Sequence, residues 1–542
     1  MGSGILVAKL SGLSFRSHQS GDGANLKRDW ITLLISGLGL ALIQPPLSFW
    51  FLAPFVWVPF LIYIQSRNLY DSLKAGYVLG LIWNGGTLYW IGWATLPGLL
   101  GALLWLPVFT ALFSGIFTLV RKRWGNIAFL AVPFLWTGIE IINSMGAMAF
   151  PWNKLAYSFS RIPAMIQFAS WTGAYGVTFW IMILNVLIYS AVRNHGKAGR
   201  RNISIFIVLC ILPLLHGLLT MNDRFEEEQL RISLVQGNID PYKKWTPEFI
   251  DTSFSVYHRL TNQGATQNPD FIVWPETATP AYIRHKYSYL RRIKTQIDSI
   301  NIPLITGAPD YDWDEEGNFH TYNGALLIRP NSMKIERYNK IRLVPFSEKV
   351  PFVEQLPFLY NILDRIHPDI GDFTSGDSIC VFHAHSATLK REVAFSIAIC
   401  FESIFPGLIR QSIERGAEFL LIITNDGWFG NTSGPYQHHE IAVLRAIENR
   451  RSIARCANTG ISSIIDPWGR VTMRSKLNEE IVLTGFVPVN NERSFYTRYG
   501  IWIERFFLSI NGLIITMLCI QSFGLKKRKT RSMKADNGNE KR

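Results

Sequence analysis

The chain has 542 residues, of which 48% are hydrophobic and 17% charged, and its formal net charge at pH 7 is +14. The mean hydropathy of +0.13 is unusually high for a soluble enzyme of this length. Five cysteines are too few for a disulfide framework. Much of the positive charge lies beside apolar segments, so the composition argues against nucleic-acid binding.

Long, nearly charge-free stretches recur in the first 220 residues and once more near the C-terminus. Several reach the roughly 20 residues that a helix needs to cross a bilayer. A soluble core does not account for seven consecutive apolar segments. We therefore predict a polytopic α-helical membrane domain with about eight spans, at residues 31–45, 51–64, 75–96, 99–120, 127–142, 164–192, 203–220 and 501–523.

Basic residues cluster in alternate loops between these spans, which predicts that those loops are cytoplasmic. They are Lys27 and Arg28, Arg67 and Lys74, Arg121 to Arg123, and Arg193 to Arg201. The predicted layout is a cytoplasmic segment at 1–26, a seven-helix membrane domain at 27–221, an extracytoplasmic domain at 222–499, a last membrane helix at 500–525 and a basic cytoplasmic tail at 526–542. The first 26 residues lack an apolar core, so we expect no cleavable signal peptide.

The segment 222–499 alternates strand-like and helical patterns. Strand character is found at 231–239, 271–274, 303–307, 324–328, 393–399 and 419–424, and helical character at 247–262, 282–300, 403–415 and 436–455. Such alternation favours a buried sheet layered by helices, so we predict an α/β domain.

Three reactive side chains follow strand-like segments of this domain. Glu276 and Lys340 each come just past such a segment, and Cys400 ends the apolar stretch 393–399. A thiol at the C-terminal end of a buried strand is where α/β enzymes place a nucleophile. The alternatives are a packed core thiol at Cys400 and a structural ion pair between Glu276 and Lys340. Their shared position at strand ends favours covalent catalysis.

Each of these residue types suits one part of such a reaction. A neutral thiol needs a base within reach, and Glu276 can take its proton and later return it to a leaving group. Lys340 supplies a fixed positive charge for the oxyanion that forms when a carbonyl is attacked, together with the backbone N–H of Phe401.

Five short motifs surround these residues: Trp274-Pro275-Glu276, Lys340-Ile341-Arg342-Leu343-Val344-Pro345-Phe346, Cys400-Phe401-Glu402-Ser403, Thr424-Asn425-Asp426-Gly427-Trp428-Phe429-Gly430 and Asn458-Thr459-Gly460. Together they resemble the carbon–nitrogen hydrolase, or nitrilase, superfamily. The resemblance implies a Glu276-Lys340-Cys400 triad and a nitrilase-like α/β domain folded as a four-layer α-β-β-α sandwich.

A nitrilase-like domain placed between the seventh and eighth spans of a membrane protein resembles the apolipoprotein N-acyltransferase family. The resemblance implies transfer of an acyl chain from a glycerophospholipid, through a Cys400 thioester, to the α-amino group of the diacylglyceryl-cysteine of an apolipoprotein. That reaction is the final step of bacterial lipoprotein maturation. The family implies a multi-pass protein of the bacterial cytoplasmic (inner) membrane whose catalytic domain faces the periplasm. We expect membrane lipid as a partner, and no nucleic acid, cofactor or metal.

Further positions match the family. Supporting or substrate-binding roles are implied for Trp245, Glu348, Phe401, Glu402, Asn425 and Trp428, and family positions in the membrane half are Trp136, Glu140 and Phe150-Pro151-Trp152. Several alternatives stay open. Glu140 is equally well explained as a carboxylate satisfied by a neighbour, and Trp245, Trp428 and Phe429 as packing residues.

Two other functions remain possible from the sequence. A membrane-tethered amidase or nitrilase would use the same triad and pass the acyl group to water. A transporter or scaffold is disfavoured because its helices show no repeat symmetry. His438 and His439 lack metal-ligand spacing, and a bridge between Cys380 and Cys456 is permitted but not indicated.

Overall fold

The structure is a computed structural model of the chain, and it describes residues 22–221, 228–351 and 373–539. The predicted cytoplasmic segment up to residue 21, the start of the predicted extracytoplasmic domain at 222–227 and the end of the basic tail at 540–542 lie outside these ranges.

The first described range is built from helices and connecting turns. Its α-helices are α1 Asp22–Leu42, α2 Val58–Ile64, α3 Leu69–Leu88, α4 Ile91–Ala94, α5 Leu96–Trp105, α6 Pro107–Trp124, α7 Val132–Ile142, α8 Ala169–Arg193 and α9 Lys197–Thr220, with 3₁₀ turns at Trp50–Leu52, Gly125–Ala131, Leu155–Phe159 and Pro163–Ile166. Prolines open α6 and α7, where their missing N–H has no intrahelical partner to lose.

The prediction of about eight spans is not confirmed. In the described ranges, four helical stretches are long and apolar enough to cross a membrane: Leu96–Ile142, Ala169–Arg193, Lys197–Thr220 and Phe495–Gln521. The predicted span 51–64 holds only the seven-residue α2, which is about 10 Å long against a hydrocarbon core of about 30 Å. Two further predicted spans, 99–120 and 127–142, fall inside the apolar stretch Leu96–Ile142, in which the 3₁₀ turn Gly125–Ala131 separates α6 from α7.

The second half of the chain contains two six-stranded sheets. Their strands are β1 Gln229–Gln236, β2 Phe271–Val273, β3 Leu304–Trp313, β4 Phe319–Ile328, β5 Ile335–Asn339, β6 Phe382–Ser386, β7 Arg391–Ile399, β8 Phe419–Thr424, β9 Ile453–Ala457, β10 Ser463–Ile465, β11 Val471–Arg474 and β12 Ile481–Pro488. One sheet has the order β12-β1-β2-β3-β4-β5 and the other β11-β10-β9-β8-β7-β6. Four helices accompany them: α10 Pro247–Ala265, α11 Tyr287–Ile300, α12 Pro406–Glu414 and α13 Gly434–Asn449.

Apolar side chains from both sheets meet in a core between them, which includes Ile232, Val273, Phe395 and Leu421. The outer face of the first sheet packs against α10 and α11. The second sheet packs against α12 and α13. Helices therefore cover both sheets, and the predicted α-β-β-α sandwich is confirmed.

One predicted element was wrong at its end. The sequence predicts a helix over 436–455, but α13 ends at Asn449 and β9 begins at Ile453. Arg450 adopts a left-handed backbone conformation with φ of 51°, which terminates the helix. The segment 453–455 was predicted as helical because its apolar residues are close enough to α13 to continue the same periodicity.

The α/β domain rests directly on the membrane helices. Gln437 of α13 accepts hydrogen bonds from the indole N–H groups of Trp90 (2.9 Å) and Trp152 (2.8 Å). Its amide donates to the carbonyl of Thr87 at 3.0 Å. The chain returns to the membrane through α14, Phe495–Asn539.

Candidate active site

Cys400 follows the last residue of β7 and begins a short 3₁₀ turn, Cys400–Ile404. Its φ is +50°, a left-handed conformation that costs a non-glycine residue about 1–3 kcal/mol. The Ser403 hydroxyl donates to the Cys400 carbonyl at 2.8 Å, and His438 Nε2 lies 3.1 Å from the same oxygen. These contacts hold the strained turn and fix the position of the thiol. Cys400 is 8% exposed.

Glu276 lies three residues after the end of β2 and is buried. One carboxylate oxygen accepts from the backbone N–H of Asn425 at 2.9 Å, and the other from the Asn323 amide at 2.8 Å. The turn that carries Glu276 packs closely against Gly307, where an added Cβ would lie 2.6 Å from Glu276 Cα. A residue larger than glycine at 307 would therefore displace the carboxylate.

Lys340 follows β5 and is 1% exposed. Its Nζ lies 3.3 Å from Glu276 Oε1 and 2.8 Å from Glu348 Oε1. Burial alone would lower the pKa of Lys340, but the Glu348 and Glu276 carboxylates outweigh it and raise that pKa above its ordinary value. The ammonium therefore stays charged at neutral pH.

The structure brings Cys400 close enough to Glu276 and Lys340 for both charges to affect its ionisation. Burial and the Glu276 carboxylate raise the pKa of the Cys400 thiol well above its ordinary value, and Lys340 only partly opposes them. The Cys400 side chain is therefore a neutral thiol at neutral pH. Attack on a carbonyl requires removal of its proton, and Glu276 is the neighbouring carboxylate that can accept it.

Glu402 links the loop that carries Lys340 to β7, the strand that precedes Cys400. One of its oxygens accepts from the Tyr338 hydroxyl (2.6 Å) and the Ile341 N–H (2.7 Å), and the other from the Ile399 N–H (2.7 Å). The residue is fully buried. Burial raises the pKa of Glu402, and these donors and the Lys340 charge act against it.

Glu348 holds the other side of the same loop. Its Oε2 accepts from the Val344 N–H at 2.9 Å, while its Oε1 contacts both Lys340 and the Asn323 amide, the latter at 2.9 Å. Asn323 thus bridges Glu276 and Glu348. Sequence analysis did not identify Asn323, because it lies inside β4 and carries no motif of its own.

A buried charged network beside Cys400 was also missed. Asp426 contacts His438 Nδ1 at 2.8 Å and Arg455 Nη2 at 2.8 Å. Burial opposes ionisation of Asp426, but Arg455 and His438 outweigh it and hold its pKa well below the usual range. The motif that contains Asp426 was recognised, whereas the partners of Asp426 are far apart in sequence.

Cys400, Asp426 and His438 also form a geometric metal-ligand cluster within the described ranges, with ligand atoms within 4.8 Å of one another. Both ring nitrogens of His438 are already engaged, one by Asp426 and the other by the Ser403 hydroxyl at 2.8 Å and the Cys400 carbonyl. We therefore assign these three residues no metal. Cys380 and Cys456 are free thiols.

The remaining candidate residues surround the triad. Asn425 is buried against Glu276, and Phe401 packs against Phe150 of the membrane domain with ring centroids 5.7 Å apart. Trp428 is partly exposed and contacts Tyr242. Trp245 is 46% exposed, so core packing does not account for it.

Phe429 and Glu140 have packing partners. Phe429 lies against Trp90, with ring centroids 4.4 Å apart. Glu140 accepts hydrogen bonds from the Trp136 indole and the Thr178 hydroxyl at 3.1 and 2.7 Å, and from the Leu155 N–H at 3.0 Å. These contacts favour the structural alternative for Glu140.

The chain is similar to known proteins along nearly its whole length. The apolipoprotein N-acyltransferase N-terminal domain family matches residues 36–187, and the carbon-nitrogen hydrolase family matches residues 231–495. An apolipoprotein N-acyltransferase of Geobacter metallireducens is 34% identical over 495 residues, which cover 88% of this chain and 92% of the relative. The chain belongs to the apolipoprotein N-acyltransferase family. Its relative in Chlorobaculum tepidum is 30% identical over 523 residues, covering 92% of this chain and 97% of the relative.

Solved structures with a similar α/β domain include an amidase mutant of the nitrilase superfamily from Nesterenkonia, at 18% identity with a TM-score of 0.35. It covers 48% of this chain and 90% of the amidase. A nitrilase-superfamily protein of Saccharomyces cerevisiae has 14% identity and a TM-score of 0.37, covering 50% and 94%. Family membership confirms the predicted enzyme class, an acyltransferase with a carbon–nitrogen hydrolase domain, and the apolar helices fit a membrane protein.

Proposed function

We propose that this protein transfers an acyl chain from a glycerophospholipid to the N-terminal α-amino group of the diacylglyceryl-cysteine of an apolipoprotein, through a thioester on Cys400. The observation that carries the proposal is a neutral thiol in a strained turn, with a buried carboxylate and a buried ammonium beside it. Relatives that match most of the chain bear the name of this activity.

The first half of the reaction forms the thioester. Glu276 takes the proton of Cys400, and the sulfur attacks the sn-1 ester carbonyl of the phospholipid. The Lys340 ammonium and the backbone N–H of Phe401 stabilise the tetrahedral oxyanion. When the C–O bond breaks, Glu276 returns the proton to the departing oxygen and the lysophospholipid leaves.

The second half transfers the acyl group to nitrogen. The uncharged α-amine of the diacylated lipoprotein attacks the thioester carbonyl, and the same two donors hold the new oxyanion. Glu276 accepts a proton from the amine and passes it to the departing Cys400 sulfur. The products are an amide and the free thiol, so the enzyme returns to its starting protonation state.

The position of Cys400 suits two lipid substrates. The residue that follows it, Phe401, packs on Phe150 from the loop between α7 and α8, so the nucleophile lies at the interface with the membrane helices. We propose that the domain at 222–499 faces the periplasm from the bacterial inner membrane, in keeping with the basic loops on the opposite side. Both substrates would then reach Cys400 from one leaflet.

A membrane-bound hydrolase is the second candidate, because the same three residues can pass the acyl group to water. The two functions differ in the product formed once both substrates are present. A hydrolase releases free fatty acid, whereas an acyltransferase produces an N-acylated peptide.

The experiment is mass spectrometry of the purified enzyme, first with phospholipid alone and then with a diacylated lipopeptide. We expect one acyl chain on Cys400 in the first step and its transfer to the peptide amine in the second. Cys400→Ala should abolish both steps, and Cys400→Ser should be nearly inactive because a hydroxyl is far less acidic than a thiol.

Cys380→Ala is the matched control, because Cys380 is a free thiol in the same domain and lies outside the triad. It should behave as wild type. Triacylated peptide produced by Cys400→Ala at the wild-type rate would refute the proposal, and fatty acid in place of the amide would establish the hydrolase.

A further inference from the structure

Lys244 is a buried lysine beside the candidate active site, and the mechanism above does not use it. It lies in the turn between β1 and α10, and it is 2% exposed. Its Nζ donates to the carbonyl of Thr277 at 3.0 Å and to the Thr277 hydroxyl. Burial of an ammonium costs desolvation free energy, so the groups that Lys244 binds indicate its role.

The partner of Lys244 is the residue that follows Glu276. Thr277 has a φ of +45°, a left-handed conformation that is unfavourable for a β-branched residue. The next N–H, of Ala278, donates to the Gly307 carbonyl at 3.0 Å. Lys244 therefore binds both oxygens of the strained residue on which the position of Glu276 depends.

The charges in the site also indicate a role for Lys244. Lys340 is shared by two carboxylates and lies closer to Glu348, at 2.8 Å, than to Glu276, at 3.3 Å. Lys340 is thus the partner of both carboxylates. Lys244 brings a second positive charge to the turn that follows Glu276.

Lys244 keeps its charge at neutral pH. Burial lowers the pKa of Lys244 to about 8, and the Glu276 carboxylate acts in the opposite direction. The Trp245 ring also lies near Lys244, with its centroid 5.2 Å from Nζ. Glu276 in turn faces Lys340 and Cys400. The charged Lys244 therefore donates to Thr277 in the turn that positions Glu276 between these two groups.

We propose that Lys244 is a positioning residue for the catalytic base: its ammonium binds both oxygens of Thr277 and so fixes the turn that holds the Glu276 carboxylate in place to receive the Cys400 proton. This inference rests on the proposed function, because Glu276 is the base only in that reaction. Lys244 itself contacts no reacting atom.

The test compares three variants in single-turnover formation of the Cys400 thioester from phospholipid, measured across pH by intact-protein mass spectrometry. Lys244→Met removes the charge, and Lys244→Arg keeps it. Lys243→Met is the matched control, because Lys243 is the preceding residue in the chain and its side chain is 65% exposed. Without the Lys244 contacts the Thr277 turn should no longer hold the Glu276 carboxylate in place, so Lys244→Met should lose about tenfold in the rate of thioester formation at every pH. Lys244→Arg keeps donors for Thr277 and should restore most of the wild-type rate. Lys243→Met should keep the wild-type rate.

Thermal unfolding of each variant separates this role from a purely structural one. If Lys244→Met does not fold, Lys244→Gln is measured instead, since its side chain is uncharged and shorter than lysine, and a loss of rate is again expected. A folded charge-free variant with the wild-type rate of thioester formation would overturn the inference while leaving the proposed function intact. Failure of the wild-type enzyme to form a thioester would overturn both.

Discussion

At the residue scale, Glu402, two residues after Cys400, holds other residues of the site in place. Both oxygens of the buried Glu402 carboxylate accept hydrogen bonds from the chain, one from Tyr338 and the N–H groups of Ile341 and Arg342, the other from the Ile399 N–H. These bonds join the end of β7 to the loop that carries Lys340. Glu402 therefore sets the distance between nucleophile and ammonium.

We expect Glu402→Gln to weaken both the fold and the chemistry. A glutamine amide in place of Oε2 would face the Ile399 N–H, so two donors would meet in a buried site, at a cost of about 1–3 kcal/mol. The displaced loop should slow thioester formation by about tenfold. Thermal unfolding and single-turnover acylation measure the two effects. Wild-type values for both would show that the Glu402 contacts do not position Lys340.

The sequence was informative about residues that lie in motifs and uninformative about their partners. Glu276, Lys340 and Cys400 each follow a strand, and the structure brings them together, although their catalytic roles stay predictions. Asn323 and the partners of Asp426 were missed. Their positions follow from the pairing of strands far apart in the chain, which no local pattern encodes.

At the element scale, α13 joins the α/β domain to the membrane helices. It follows the Asn425–Gly430 motif and is buried along almost its full length. Gln437 near its start makes three hydrogen bonds to groups of the membrane domain. Since these groups are buried, none can turn to water if the glutamine is lost.

We expect Gln437→Leu to destabilise the protein by about 2–5 kcal/mol, because the Trp90 and Trp152 indoles and the Thr87 carbonyl would lose their partner. The measurement is thermal unfolding in detergent. Gln411→Leu is the control, since Gln411 is exposed on α12 and bonds only its own helix. Equal unfolding temperatures for the two variants would show that Gln437 does not hold this interface.

The prediction of elements succeeded where the hydrophobic period was long and uninterrupted. Strands at 271–274, 393–399 and 419–424 were identified because their residues are almost all apolar and buried. The predicted span at 51–64 contains only a short α-helix, because hydropathy measures composition and not helix length. The length of α2 depends on local turns that an average over many residues hides.

At the scale of the whole molecule, the orientation of the chain is the proposal with the widest consequences. The α/β domain is flanked by α9 and α14, both of which are apolar enough to cross a membrane. The two ends of the domain therefore meet the membrane on the same side. The basic loops predict that this side is the periplasm.

Reporter fusions test the orientation. A reporter that is active only in the periplasm should be active when fused after Thr220 and inactive when fused after Phe523, because in the proposed orientation α14 returns the chain to the cytoplasm. A reporter that requires the cytoplasm should give the opposite pattern. If the periplasmic reporter is active only after Phe523, the domain is cytoplasmic and cannot meet a periplasmic lipoprotein.

The contact between Phe401 and Phe150 places the nucleophile against the membrane helices, and this has a kinetic consequence. Substrates that never leave the bilayer find Cys400 by lateral diffusion in two dimensions. The relevant concentration is then the mole fraction of each lipid in the surface, not its amount per volume of solution. Diluting the sample with buffer leaves that encounter frequency unchanged, whereas adding inert lipid or detergent to the same surface lowers it.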